Sequence, residues 1–158
     1  MIGLTNQQLL QEIATWMNSR VATLPEFGQP FFSQGGWEGW VQVELAMYLT
    51  SRGYDVMRED RIYGNSFRAD LVVNPNIVEF RNIAVEIKCQ SMYRSIDSQL
   101  PLYDNDIERL LSLGLNWNGI MLIFVVEPIL MNKLLSLGYM SYVTRNLTLC
   151  YKEIISLE

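Results

Sequence analysis

Asp70, Glu86 and Lys88 are the residues of this chain whose types and spacing could do chemistry. Val72 and Val73 follow the aspartate, and residues 83–89 form an apolar run broken only by Glu86 and Lys88. Side chains alternate faces along a strand. Ala84, Glu86, Lys88 and Gln90 therefore share one face, and Ile83, Val85, Ile87 and Cys89 share the other. The second face is core. The first sets an acid and a base among apolar neighbours, where unpaired charge is costly to bury. Asn74, Pro75 and Asn76, with the polar stretch to Asn82, form a loop, because Pro and Asn favour turns over central strands. Antiparallel pairing across that loop places Asp70 beside Glu86, with Cβ atoms about 5 Å apart. Two carboxylates so close repel unless a cation lies between them, and hard divalent cations take oxygen ligands. Mg²⁺ is the expected occupant, with Mn²⁺ able to substitute, and Lys88 stands one strand-step away.

The elements that must position these groups can be followed along the chain. Thr5 and Gln8 have capping-box spacing ahead of Leu9, Leu10, Ile13, Trp16 and Met17, which predicts an amphipathic helix over 6–19. Residues 21–36 hold Pro25, Gly28, Pro30, Gly35 and Gly36 and form a connector anchored by Phe27, Phe31 and Phe32. A second helix runs over 37–52 and stops at Gly53. On it Glu38, Gln42, Leu45 and Leu49 make one stripe, and Glu44 lies beside another made by Trp37, Trp40, Val41 and Tyr48. Either glutamate can point inward as a third carboxylate for the metal, or stay on a solvated face.

Strands follow at 54–58 and from 61–63 onward, before the central pair. Pro101 argues against a long helix over 91–102, and Asp104 or Asn105 can cap a helix carrying Ile107, Leu110, Leu111 and Leu113. Asp106 and Arg109 on it suit a surface ion pair, or an arginine reaching a substrate phosphate. Residues 118–126 predict a strand covered on both faces. Residues 128–137 predict a short helix, and 147–154 a final strand at an edge.

Composition narrows the class. The 158 residues are 49% hydrophobic, enough for one domain with a real core. No apolar run is long enough for a membrane span, and no basic-then-apolar signal segment is visible at the N-terminus. Cys89 and Cys150 fall in strands without ligand or disulfide-framework spacing, which favours free thiols and a cytoplasmic setting. The chain has no histidine, so Ser-His-Asp and Cys-His catalysis and His-ligated zinc are excluded. A net charge of −5 runs against phosphate binding, yet residues 52–94 hold seven bases and six acids. Arg52, Arg58, Arg61, Arg68, Arg81 and Arg94 can form a local basic rim.

In its order of helix, three strands, helix and strand, the chain resembles the PD-(D/E)XK, or restriction-endonuclease-like, nuclease superfamily. Asp70, then Glu86-Ile87-Lys88 after a spacer of fifteen, behind the helix WEGWVQVELAMYL, carries the resemblance, which covers about residues 36–126. It implies an α/β fold with an αβββαβ core and a mixed central sheet flanked by helices. Here the core spans 37–126, with an extra N-terminal helix at 1–20 and a C-terminal helix and strand at 127–158. It further implies that Asp70 and Glu86 bind the divalent metal and that Lys88 orients or polarises the attacking water. Glu44 corresponds to the helix acid, with Glu38 as its competitor, and Gln90 matches a polar position near the site. Ala69 stands where the motif has proline. Arg68, Arg94 and Arg109 are candidate phosphate contacts. The expected activity is metal-dependent phosphodiester hydrolysis, with DNA ahead of RNA and a homodimer or second subunit as a possible partner. A carboxylate-held Mg²⁺ and an adjacent lysine supply what that hydrolysis needs. The rival readings are a ribonuclease toxin using the same site and a catalytically inactive nuclease-like binding or inhibitor module.

Overall fold

Apolar runs determine where strands form here, and helical-period stripes determine what covers them. The computed structural model describes residues 1–21, 37–64, 66–145 and 147–155. Apart from Val21, the expected connector with Phe27, Phe31 and Phe32 lies outside the described residues. In chain order the elements are α1 (Asn6–Ser19), α2 (Glu38–Ser51), β1 (Val56–Asp60), β2 (Ala69–Val73) and β3 (Asn82–Cys89). They continue as α3 (Ile96–Leu111), β4 (Trp117–Val125), α4 (Pro128–Ser136), β5 (Met140–Val143) and β6 (Thr148–Ile155). Among the described residues the strands form one mixed sheet of order β1-β2-β3-β4-β6-β5. Its neighbours are antiparallel except for the parallel pair β3–β4.

The sheet separates two apolar layers. On one face Leu9, Ile13, Trp16 and Met17 of α1 and Val41, Leu45 and Leu49 of α2 cover Leu71, Val85, Ile87, Leu122 and Phe124. On the other, Tyr103 and Leu110 of α3 and Leu130 and Leu134 of α4 cover Ala84, Met121, Ile123 and Cys150. Strand β4 is thus apolar on both sides, as its continuous run predicts. Both halves of the capping box at α1 form: Gln8 N–H donates to Thr5 Oγ1, and Thr5 N–H donates to Gln8 Oε1. Gly53 follows the end of α2 with φ +88°, where a side chain would be strained. No helix among the described residues is long and apolar enough to cross a membrane. Both cysteines are free thiols.

Three expectations are corrected. Helix α3 begins at Ile96, capped by Ser95, rather than at Asp104 or Asn105, and it carries Pro101 inside it. An interior proline removes an N–H bond and costs about 3 kcal/mol. Against that cost, the neighbouring Gln99 ties this turn to the exit of β3. Its side chain accepts from Ser91 N–H and donates to the Ser91 and Arg94 carbonyls. Arg61 to Tyr63 lie in the connection before β2 and form no strand, with Gly64 turning the chain at φ +71°. Strand β6 is not an edge, because β5 pairs along its outer side. That four-residue strand, with Met140 and Val143 exposed, is too short and too wet to show as an apolar alternation.

Candidate active site

The ladder between β2 and β3 pairs Leu71 with Val85, Val72 with Ala84 and Val73 with Ile83. One further step in that register sets Asp70 opposite Glu86, the arrangement the loop predicts. The ladder ends there because the Asp70 carboxylate replaces the next rung. Asp70 Oδ2 accepts the Ile87 N–H at 2.6 Å, while the preceding residue, Ala69, pairs outward with Asp60 of β1. Lying in the gap between parting strands, the carboxylate can be reached from both layers. From α2, Gln42 Nε2 donates to Asp70 Oδ1 at 2.7 Å, and Gln42 Oε1 accepts from Arg58 at 3.4 Å.

Glu86 is 2% exposed, and its Oε1 accepts the hydroxyl hydrogen of Tyr63. Lys88 Nζ lies between the two helix layers, 3.2 Å from Glu38 Oε1 on α2 and 3.1 Å from Asp106 Oδ2 on α3. Asp106 also pairs with Arg109, whose guanidinium lies over the Phe67 ring at 4.9 Å. Lys88, Glu38 and Arg109 keep part of their side chains in solvent and form the open side of the group.

The electrostatics follow from burial. Both acids of the pair are held well above the usual carboxylate range. For Asp70 desolvation dominates; the Ile87 N–H bond and Lys88 pull the other way, and Glu38 adds to the rise. For Glu86 desolvation again leads, opposed by the Tyr63 bond and reinforced by the charge of Asp70. Burial and the Glu86 charge raise the Tyr63 hydroxyl, so it stays a donor. With all four ionised, Glu38, Asp70, Glu86 and Asp106 would exceed Lys88 and Arg109 by two negative charges, an excess that the raised Asp70 and Glu86 reduce by holding protons.

That excess suits one divalent cation. Among the described residues no group of three or more acidic or thiol side chains is placed to hold a metal ion, and a cation at this point would have Asp70 and Glu86 as its two protein carboxylates. Mg²⁺ commonly binds through one or two carboxylates and keeps several waters, so the donor set fits it better than Zn²⁺, which takes about four protein ligands in a closed site.

The remaining expected site residues separate. Glu44 pairs at 2.9 Å with Arg20, the residue that follows α1, on the side of α2 turned away from Asp70, and Glu38 is the helix acid that the structure brings to Lys88. Gln90 is 2% exposed and clamps the turn into α4: its Oε1 accepts from the N–H groups of Val126 and Glu127, and its Nε2 donates to Glu127. Arg68 pairs with Glu59 at 3.2 Å, and Arg94 is exposed in the loop after β3. Three contributors escape sequence reasoning. Gln42 could have been found, since it shares a stripe with Glu38 and the core leucines. Asp106 falls on a helix face that looks solvated, and Tyr63 on a stretch that looks like strand. A hollow of about 480 Å³ lies at the far end of the β2–β3 pair, by Pro75, Phe80, Arg81 and Asn116, away from these groups. The chain matches no family model, no curated protein and no solved structure.

Proposed function

We propose that this chain is a Mg²⁺-dependent nuclease of restriction-endonuclease-like class, hydrolysing phosphodiester bonds in DNA ahead of RNA. The observation that carries the reading is the β2–β3 register, one step beyond which Asp70 stands opposite Glu86, with Lys88 further along β3 in a cluster of four acids and two bases. The order α2-β1-β2-β3-α3-β4, three antiparallel strands and then a helix leading to a parallel strand, supports it. A divalent ion, when bound, supplies a nucleophile from water near neutral pH and compensates charge on the transferring phosphoryl group. Asp70 and Glu86 would hold it, Gln42 and the Ile87 N–H fix Asp70, and Tyr63 fixes Glu86. Lys88, steadied by Glu38 and Asp106, presents its ammonium where negative charge develops. Two free cysteines fit a reducing, cytoplasmic setting.

The test is a parallel digest of plasmid, single-stranded DNA and total RNA with Mg²⁺, Mn²⁺ or EDTA. Metal-dependent cleavage is expected, lowered by about 100-fold or more in Lys88→Ala. Intact substrates with folded protein, or cleavage that persists in EDTA, overturn the reading. The same digest separates a ribonuclease on this site from a deoxyribonuclease. A second reading, an inactive nuclease-like binding module, draws on two observations: Glu86 is buried under Tyr63, and Lys88 already has two carboxylate partners. It predicts binding without turnover.

A further inference from the structure

Asp106 is a buried carboxylate serving two cations from different elements. It is 1% exposed, its Oδ2 lies 3.1 Å from Lys88 Nζ on β3, and its Oδ1 pairs with Arg109 one helical turn along α3. An i, i+3 ion pair on a helix ordinarily sits in solvent and contributes little. Burying one beside the Asp70–Glu86 pair is costly unless the geometry has a use. Arg109 is constrained from a second side by the Phe67 ring at 4.9 Å. The contact with Asp106 engages Nη2, while Nε is buried with no hydrogen-bond partner. A guanidinium offers a planar fork of donors that matches phosphate, and Arg109 keeps 27% of its side chain exposed, so a fork held by Asp106 and Phe67 with a side open to solvent suits an anion that comes and goes.

We propose that Asp106 is a positioning residue that sets the spacing of Lys88 and Arg109, so that both cations hold one phosphate of the substrate at Asp70 and Glu86. Lys88 faces the attack, and Arg109 is the phosphate-binding residue on a non-bridging oxygen. Lys88 lies two residues beyond Glu86 on the same face of β3, and its contact with Asp106 ties Arg109 of α3 to that face. The inference rests on the hydrolytic reading of this site and adds the group that organises its cations. It also ranks the candidate phosphate contacts: Arg109 is held at the cluster, whereas Arg68 is taken by Glu59.

A binding cycle on the full chain tests it, using fluorescein-labelled duplex DNA and single-stranded RNA oligonucleotides with Ca²⁺ in place of Mg²⁺, so that binding is read without turnover. Wild type, Asp106→Asn, Arg109→Ala and the double variant are compared, with Glu108→Gln as a control that removes a charge from the exposed side of α3. Asp106→Asn is expected to stay folded by circular dichroism and to weaken binding of whichever oligonucleotide the wild type holds. In Mg²⁺ it should lower kcat by roughly 10- to 100-fold, the scale of misplacing a reacting group. The double variant should lose less than the product of the single losses, and Glu108→Gln should match wild type. Binding and turnover unchanged in folded Asp106→Asn, or strictly multiplicative losses, overturn the proposal. Should Asp106→Asn not fold, Arg109→Lys carries the test, because it keeps the ion pair and loses the fork; unchanged oligonucleotide binding then overturns it. If wild type binds but cleaves nothing, the hydrolytic reading fails while the binding cycle still decides the role of Asp106. If wild type binds neither oligonucleotide, both fall.

Discussion

Asp70 and Glu86 are both raised acids, yet they are not equivalent. Both oxygens of Asp70 are engaged by N–H donors, from Gln42 and Ile87, so an asparagine there would turn an amide donor toward another donor. Glu86 has its Oε1 on the Tyr63 hydroxyl, which a glutamine can accept equally well. Glu86→Gln therefore removes a charge while keeping the hydrogen bond and the shape. It relieves both the desolvation and the repulsion from Asp70. The metal-free variant should gain of the order of 1 kcal/mol, a rise in Tm of about 2–4 °C for a chain of this size. On the proposed metal site, Mg²⁺ should stabilise the wild type and this variant should lose that stabilisation. Paired melts with EDTA and with Mg²⁺ check this, and a drop in metal-free Tm would show that Glu86 is a net stabiliser as an anion. Lys88→Ala has a structural cost besides the loss of cleavage proposed for it: it leaves Asp106 buried with Arg109 as its remaining partner, so its Tm should fall below wild type.

Among the elements, α1 matters because it decides which side of α2 faces the site. Trp16 packs at 6.1 Å from Trp40, and Arg20 pairs with Glu44 on the same flank. Glu12 of α1 accepts from the hydroxyls of Tyr48 and Tyr54, and Arg52 pairs with it at 2.8 Å. Burial pushes the Glu12 carboxyl up, but those hydrogen bonds together outweigh it and hold it below its ordinary value. Glu12→Gln should cost about 1 kcal/mol, a modest figure because the Arg52 partner is half exposed. A lower urea midpoint with an unchanged slope is the expected reading.

These contacts also show what the sequence could carry. The β2–β3 register was legible, because alternation and one loop determine which residues meet. The choice between Glu38 and Glu44 was not, because α2 is apolar nearly all round and only its packing against α1 selects the stripe that meets the sheet. Tyr63 and Asp106 arrive from segments that share no period with Glu86 and Lys88, so nothing local marks them. The long α3 was hidden by Pro101, whose penalty is met by side-chain bonds from Gln99.

At the scale of the whole molecule, the raised acid pair couples folding to pH and, on the proposed reading, to metal. A carboxyl with a folded-state pKa above its unfolded value binds protons more tightly in the native state. Its contribution to stability is then fully present below the ordinary carboxylate value near pH 4 and is lost as pH rises through the raised value. Asp70 and Glu86 both act in this direction. Glu12 acts oppositely, but its contribution is lost on the acid side, as pH falls through its lowered value. From about pH 5 upward the pair should therefore dominate, and the metal-free protein should melt lower at pH 8 than at pH 5.5. Bound Mg²⁺ requires both acids ionised, so its stabilisation should grow with pH over the same window. At ten times its dissociation constant the ion adds about 1.4 kcal/mol, a Tm rise of roughly 3–6 °C at pH 8. Little or no rise is expected at pH 5.5, where protons compete. Glu86→Gln should flatten both the metal-free decline and the metal-dependent rise. A wild-type Mg²⁺ increment independent of pH, or one surviving intact in Glu86→Gln, would place the ion somewhere other than between β2 and β3.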